Sequence, residues 1–209
     1  MAVNKEDVLR WLDALHELFS QNEQQLTDLD SAIGDGDFGA SLHRGFAAVK
    51  AQLAANPLAD LRAVFQRVSG ILIKTMGGSS GPLLGTFFLR AGATCADKSE
   101  LGPAEVVALF QAGVEGLQQR GKAVLGDKTM IDAWLPAVEA MRGALDAGSG
   151  VTEILEKGAE AAEAGMRATI DMQARKGRGS YLGERSIGHQ DAGATATAML
   201  IKTAAQVWG

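Results

Sequence analysis

The chain has 209 residues, 46% of them hydrophobic and 22% charged, which is ordinary for a soluble globular protein with one sizeable core. A net charge of -5 argues against a nucleic-acid surface, because the one dense basic run, residues 175–178 (RKGR), is long enough for only a small anion. A single cysteine, Cys95, excludes an intrachain disulfide and any cysteine-based zinc cluster.

The opening MAVNKEDVLRWL meets acidic residues at once and has no apolar signal core. No apolar run approaches the ~18 residues of a membrane span. The expectation is a cytoplasmic protein that engages neither membrane nor nucleic acid.

Helical periodicity then dominates. Val8, Leu9, Trp11, Leu12, Leu15, Leu18, Phe19 and Leu26 form the first apolar stripe. Residues 39–53 carry Leu42, Phe46, Val49 and Leu53 at helical spacing. Asn56 and Pro57 read as a helix start, with a stripe running from Leu61 toward Met76. A strongly apolar helix follows over about 83–93, and Pro103 opens the next. Residues 130–145 continue the pattern, with a kink expected at Pro136. An Ala-rich helix is expected over 151–174, and a last one ends near Trp208. That makes about eight helices, no convincing strand pair, and one all-α domain spanning residues 1–209.

Four breaks carry the chemistry: residues 30–41, 77–82, 121–130 and 175–193, all rich in Gly, Ser, Asp or Arg. In the first, LDSAIGDGDFG (29–39), Asp30, Asp35 and Asp37 crowd together among glycines. A capped turn would use Asp37 alone, as N-cap of the following helix. An EF-hand loop fails because its fifth position, counted from Asp35, is Gly39. Hard oxygen ligands without His or Cys suit Mg²⁺ with phosphates completing its shell, and the helix start beyond them suits an anion.

Gly78, Ser79 and Ser80 open another helix as a second anion cradle. The same stretch spells G-x-S-x-G, and Ser79, Asp127 or Asp132, and His189 follow the chain order of an α/β-hydrolase triad. That remote reading requires a strand before Ser79, which the sequence scarcely offers. Residues 116–123 narrowly miss a P-loop, because Ala123 stands where a hydroxyl is needed. In the third break Thr129 or Asp127 reads as a helix cap; beside a nucleotide, Thr129 offers a hydrogen bond and Met130 a soft face for a base. The fourth break reads as an ordered lid in which Arg178 can bridge phosphate oxygens. His16 and His43 read as helix-face residues, and His189 lies in the lid.

With LDSAIGDGDFG, GGSSGPLLGTFF (77–88), RGKAVLGDKTM (120–130) and MQARKGRGSYLGERSIGHQDAGAT (172–195) in this order, the chain resembles the nucleotide-binding L subunits of bacterial dihydroxyacetone kinases. The resemblance implies an eight-helix antiparallel barrel with the nucleotide at one end. It implies two Mg²⁺ ions on Asp30, Asp35 and Asp37, and phosphate contacts from Phe38, Gly39, Ala40, Ser41, Gly78, Ser79, Ser80 and Arg178. The base pocket would involve Leu83, Gly121, Thr129 and Met130, closed by Asp191, Ala192 and Gly193, with Arg178 as the catalytic cation. It further implies ADP/ATP as cofactor, a sugar-binding K subunit, and a phosphocarrier M subunit that recharges retained ADP. Alternatives within the resemblance are an ATP-exchanging kinase subunit for a related ketose, or a nucleotide-binding module that contacts a transcription regulator. One departure stands out: Phe38 occupies a position where such subunits commonly carry His.

Overall fold

The computed structural model describes residues 2–209. The described residues form nine α-helices: α1 (Lys5–Gln21), α2 (Glu23–Ile33), α3 (Phe38–Ala55), α4 (Leu61–Thr75), α5 (Ser80–Ala93), α6 (Pro103–Gly121), α7 (Ile131–Asp146), α8 (Val151–Ala168) and α9 (Ala192–Trp208). The first predicted helix is broken at Asn22. The Asn22 side chain donates to the Leu18 carbonyl at 2.8 Å, the carbonyl its own backbone N–H also uses, and α2 starts afresh beyond it. Because α1 and α2 both pack on α3 and α9, they share one position in the bundle. The remaining contacts run α3, α4, α5, α6, α7, α8, α9 and back to α1, a closed ring with eight positions.

Alternate connections gather at opposite ends of this ring. At one end β1 (Val3–Asn4) pairs antiparallel with β2 (Glu100–Leu101), Lys5 Nζ reaches the Leu58 carbonyl at 3.1 Å, and Trp208 Nε1 donates to the Asp7 carbonyl. At the other lie the links after α2, α4, α6 and α8, which are the four breaks singled out above. Successive ring positions therefore run antiparallel, as expected for helices joined by short links.

Local chemistry sets the boundaries. Asn4 and Asp7 form a reciprocal capping box that starts α1. The expected start at Asn56 and Pro57 is displaced to Leu61, because Asp60 accepts the Ala63 N–H at 2.7 Å and supplies the better cap. Helix α5 begins at Ser80 rather than Leu83. Helix α7 runs through Pro136 without ending. Helix α8 stops at Ala168 rather than 174 and passes into a 3₁₀ turn, Thr169–Asp171. The lid holds a second 3₁₀ stretch, Arg178–Ser186, interrupted at Gly183. The short β1–β2 pair was not foreseen in the sequence.

The ring interior is filled by aromatic rings. Trp11 and Trp208 lie 4.8 Å apart between centroids, Phe19 and Phe46 4.9 Å, and Phe87 stacks on Trp134 at 4.6 Å. Each such buried ring contributes on the order of 2–3 kcal/mol of transfer free energy. Close helix approach needs small residues: a Cβ at Gly165 of α8 would collide with the Asp132 carbonyl of α7. Cys95 is buried, and burial pushes its thiol pKa up, consistent with an inert structural cysteine.

Candidate functional site

Asp30 sits in the last turn of α2, while Asp35 and Asp37 lie on the four-residue link to α3. Gly36, at φ +73°, lets the link turn sharply. Carboxylate oxygens of the three aspartates come within 4.8 Å of one another. At an effective dielectric of 20 such a spacing implies about 3 kcal/mol of repulsion per pair before solvent screening. Burial raises the Asp30 pKa and the charges of Asp35 and Asp37 raise it further, against the lowering by N–H donation from Phe38 and Asp37 at 3.2 and 3.0 Å. Arg178 of the lid offsets one charge, its guanidinium 2.8 Å from Asp35. Three convergent hard oxygen donors with one partly exposed cation beside them fit a divalent metal.

Asp37 stands at the N-cap position of α3, but its side chain makes no capping bond, which corrects the capped-turn expectation. Its backbone is αR rather than extended, so the carboxylate is left for the cluster. Ser79 occupies the same position on α5, also without a side-chain cap. Two helix N-termini therefore present uncapped N–H groups at one end of the ring, a suitable environment for phosphate.

The opposite wall is a braced turn before α7. The Thr129 hydroxyl accepts the N–H of Ile131, the first residue of that helix, at 3.2 Å, in line with the sequence, whereas Asp127 does not cap it. Asp132 instead accepts the Gly126 and Thr129 N–H groups at 2.5 and 2.7 Å, and Asp127 accepts that of Val124. The Asp127 carbonyl takes the Arg175 N–H at 3.0 Å and so joins the turn to the lid. Asp191 caps α9 by accepting the Ala194 N–H at 2.7 Å. Asp191 is half-buried on the cavity wall, and desolvation of its carboxyl raises the pKa to about 7.

Together these parts enclose a cavity of about 720 Å³. Of the residues singled out in the sequence, Asp30, Asp35, Asp37, Phe38, Gly78, Ser79, Ser80, Leu83, Gly121, Thr129, Met130, Arg178, Asp191, Ala192 and Gly193 line it. Gly39, Ala40 and Ser41 follow in the first turn of α3, behind this lining. The Ser41 side chain is buried and accepts from Arg44. The sequence reading missed Lys128, which lines the cavity although 2% exposed, and also Arg120 and Lys176. None of the three histidines lines the cavity; His43 instead pairs with Glu23 at 2.5 Å. The hydrolase reading fails because helix α4, not a strand, precedes Ser79, and the described residues form no sheet beyond the β1–β2 pair.

The family model described as the DAK2 domain matches residues 32–206. The chain is 41% identical over 202 residues to the ADP-binding subunit DhaL of the PEP-dependent dihydroxyacetone kinase of Escherichia coli, covering 97% of this chain and 96% of that one. It is 38% identical to the ADP-binding subunit DhaL of the PTS-dependent kinase of Lactococcus lactis, covering 95% of each. In three dimensions it superposes with a TM-score of 0.75 on the dihydroxyacetone kinase of C. freundii, crystallised with AMP-PNP and Mg²⁺. That match has 28% identity and covers 99% of this chain but 34% of the larger one.

Proposed function

The chain belongs to the DAK2 domain family, and from that premise we propose that it is the ADP-binding subunit of a phosphoenolpyruvate-dependent dihydroxyacetone kinase. The observation that carries the reading is the joining, in one cavity, of the Asp30–Asp35–Asp37 cluster, two uncapped helix N-termini and Arg178. Each element suits one part of a metal-bound diphosphate.

In this reading the three aspartates hold two Mg²⁺ ions, which when bound neutralise phosphate charge and orient the transferred group. A bound diphosphate with three aspartates carries about six negative charges, of which two Mg²⁺ offset four, and Arg178 meets part of the remainder. The guanidinium of Arg178 binds oxygens of the transferred phosphoryl group and stabilises the charge that develops there. The N–H groups of Gly39 and Ala40, together with Ser79 and Ser80, orient the phosphates. Thr129 and Met130 meet the base, with Leu83 and Gly121 opposite and residues 191–193 closing the pocket. Phe38 keeps its backbone N–H on Asp30 while presenting no imidazole to phosphate.

The sugar is supplied by a separate K subunit, so phosphoryl transfer occurs in the complex and requires no general base from this chain. ADP stays bound between turnovers and is rephosphorylated in place by a phosphocarrier M subunit. The setting is cytoplasmic; among the described residues no helix is long and apolar enough to cross a membrane.

Denaturing the purified protein and quantifying what it releases tests this directly. Stoichiometric ADP supports the retained-coenzyme mode, whereas an empty protein that binds ATP reversibly supports exchange of free nucleotide. Asp35→Ala is expected to abolish Mg²⁺-dependent ADP retention while leaving helical circular dichroism unchanged. Retention at the wild-type level by that variant defeats the metal assignment.

A further inference from the structure

Lys128 is a cation with an unusual placement. Its side chain is 2% exposed, and its backbone adopts φ +59°, a conformation that costs a non-glycine residue on the order of 1 kcal/mol. The ammonium donates to three backbone carbonyls: Thr169 at 2.8 Å, Met172 at 3.0 Å and Ser186 at 2.7 Å. All three of its N–H groups are thus used, and none is spent on a carboxylate. The acceptors belong to the 3₁₀ turn that follows α8, to the residue that ends that turn, and to the last residue of the 3₁₀ stretch in the lid. One charge therefore ties down both ends of the segment 172–186. Between those anchors lie Arg175, whose N–H meets the Asp127 carbonyl, and Arg178, which reaches Asp35. The next residues along the chain from Lys128 are Thr129 and Met130, on the cavity wall.

We propose that Lys128 is a positioning residue whose ammonium, bound by three carbonyls, fixes both ends of the segment 172–186 and thereby sets Arg178 over the aspartate cluster. This role rests on reading the cavity as a Mg²⁺–nucleotide site, but the lid contact itself does not. A guanidinium does not substitute, because its planar fork cannot address three carbonyls converging on one point. Removing the ammonium leaves the Met172 and Ser186 carbonyls without their donor and Thr169 with only the Met172 N–H, at 3.2 Å, and the lid lifts to reach water.

The test uses Lys128→Ala and the better-filled Lys128→Met, with limited trypsin digestion and mass spectrometry in the absence of nucleotide. The lid supplies its own cleavage sites at Arg175, Lys176, Arg178 and Arg185. Cleavage there is expected to speed up roughly tenfold or more in both variants, with sites in the helices unchanged. Adding n-propylammonium, which replaces the missing stem and charge, should restore protection in Lys128→Ala but not in Lys128→Met. Tetramethylammonium, too large for the carbonyl site, should restore neither. Mg²⁺·ADP affinity of Lys128→Ala should fall and recover in parallel with lid protection.

Wild-type cleavage rates in folded Lys128→Met would overturn the proposal. So would equal acceleration at every site with no rescue by n-propylammonium, since that marks a general loss of stability. If wild-type protein itself fails to bind Mg²⁺·ADP, the nucleotide reading fails, while the lid digestion still decides the role of Lys128.

Discussion

The carboxyl of Asp191 is held by the Ala194 N–H but is buried against the repulsion of Asp132 and Asp30, with Lys128 attracting it. Its pKa of about 7 in the folded chain lies well above the carboxylate range near 4 in the unfolded one. Between about pH 4 and 7 the unfolded chain releases this proton and the folded chain keeps it, so this group removes stability as pH rises through that window. Asparagine keeps the capping oxygen and lacks the proton. The stability of Asp191→Asn relative to wild type is therefore expected to increase from pH 4 to 7 and then level off, measured by urea denaturation at fixed ionic strength. A gap that does not change with pH would show that the carboxyl ionises freely in the fold. The residues of this site differed sharply in how far the sequence revealed them. Asp30, Asp35 and Asp37 were legible because the contact that unites them is local, across one short link. Lys128 was not, because its partners are backbone carbonyls 41, 44 and 58 residues away, and a carbonyl carries no residue identity.

Helices α7 and α8 pack extensively, and at Gly165 their backbones come close together. Valine at this position would place three carbons against the Asp132 carbonyl and the Ala133 backbone, neither of which can rotate away. Overpacking of this kind costs about 1–3 kcal/mol. The expected melting shift for Gly165→Val is a fall of about 3–10 °C by circular dichroism, from the usual scaling for chains of this size. An unchanged midpoint would mean that α7 and α8 can slide apart freely. The helices were legible because the 3.6-residue period survives in them, whereas several boundaries and the two-residue strands β1 and β2 were not. The apolar stripe continues from Leu15 and Phe19 to Leu26 across the break at Asn22, so periodicity alone cannot see it. Pro57 advertised a start that Asp60, with its side-chain cap, takes over. Even so, the four chemically rich breaks marked in the sequence are the links that fall together at one end.

For the whole molecule, the end of the ring that gathers three like charges, Asp30, Asp35 and Asp37, is joined to a core closed by aromatic rings. In the proposed function, Mg²⁺ bound there would relieve the repulsion among these carboxylates. A ligand present at 100 times its dissociation constant stabilises the fold by about 2.7 kcal/mol. Mg²⁺ with ADP is thus expected to raise the melting midpoint by about 5–10 °C, and EDTA to reverse the rise while releasing nucleotide. Scanning calorimetry with parallel nucleotide quantification checks both; a midpoint indifferent to EDTA in ADP-loaded protein would separate nucleotide binding from the aspartates. Antiparallel closure has one more outcome. It leaves Val3, Asn4 and Trp208 at the pole away from the cavity, tied to each other's neighbourhood through Asp7 and Leu101. A tether attached at either of these chain ends would hang from the far pole like the cord of a lamp, and the mouth would still face outward, open to whatever docks against it.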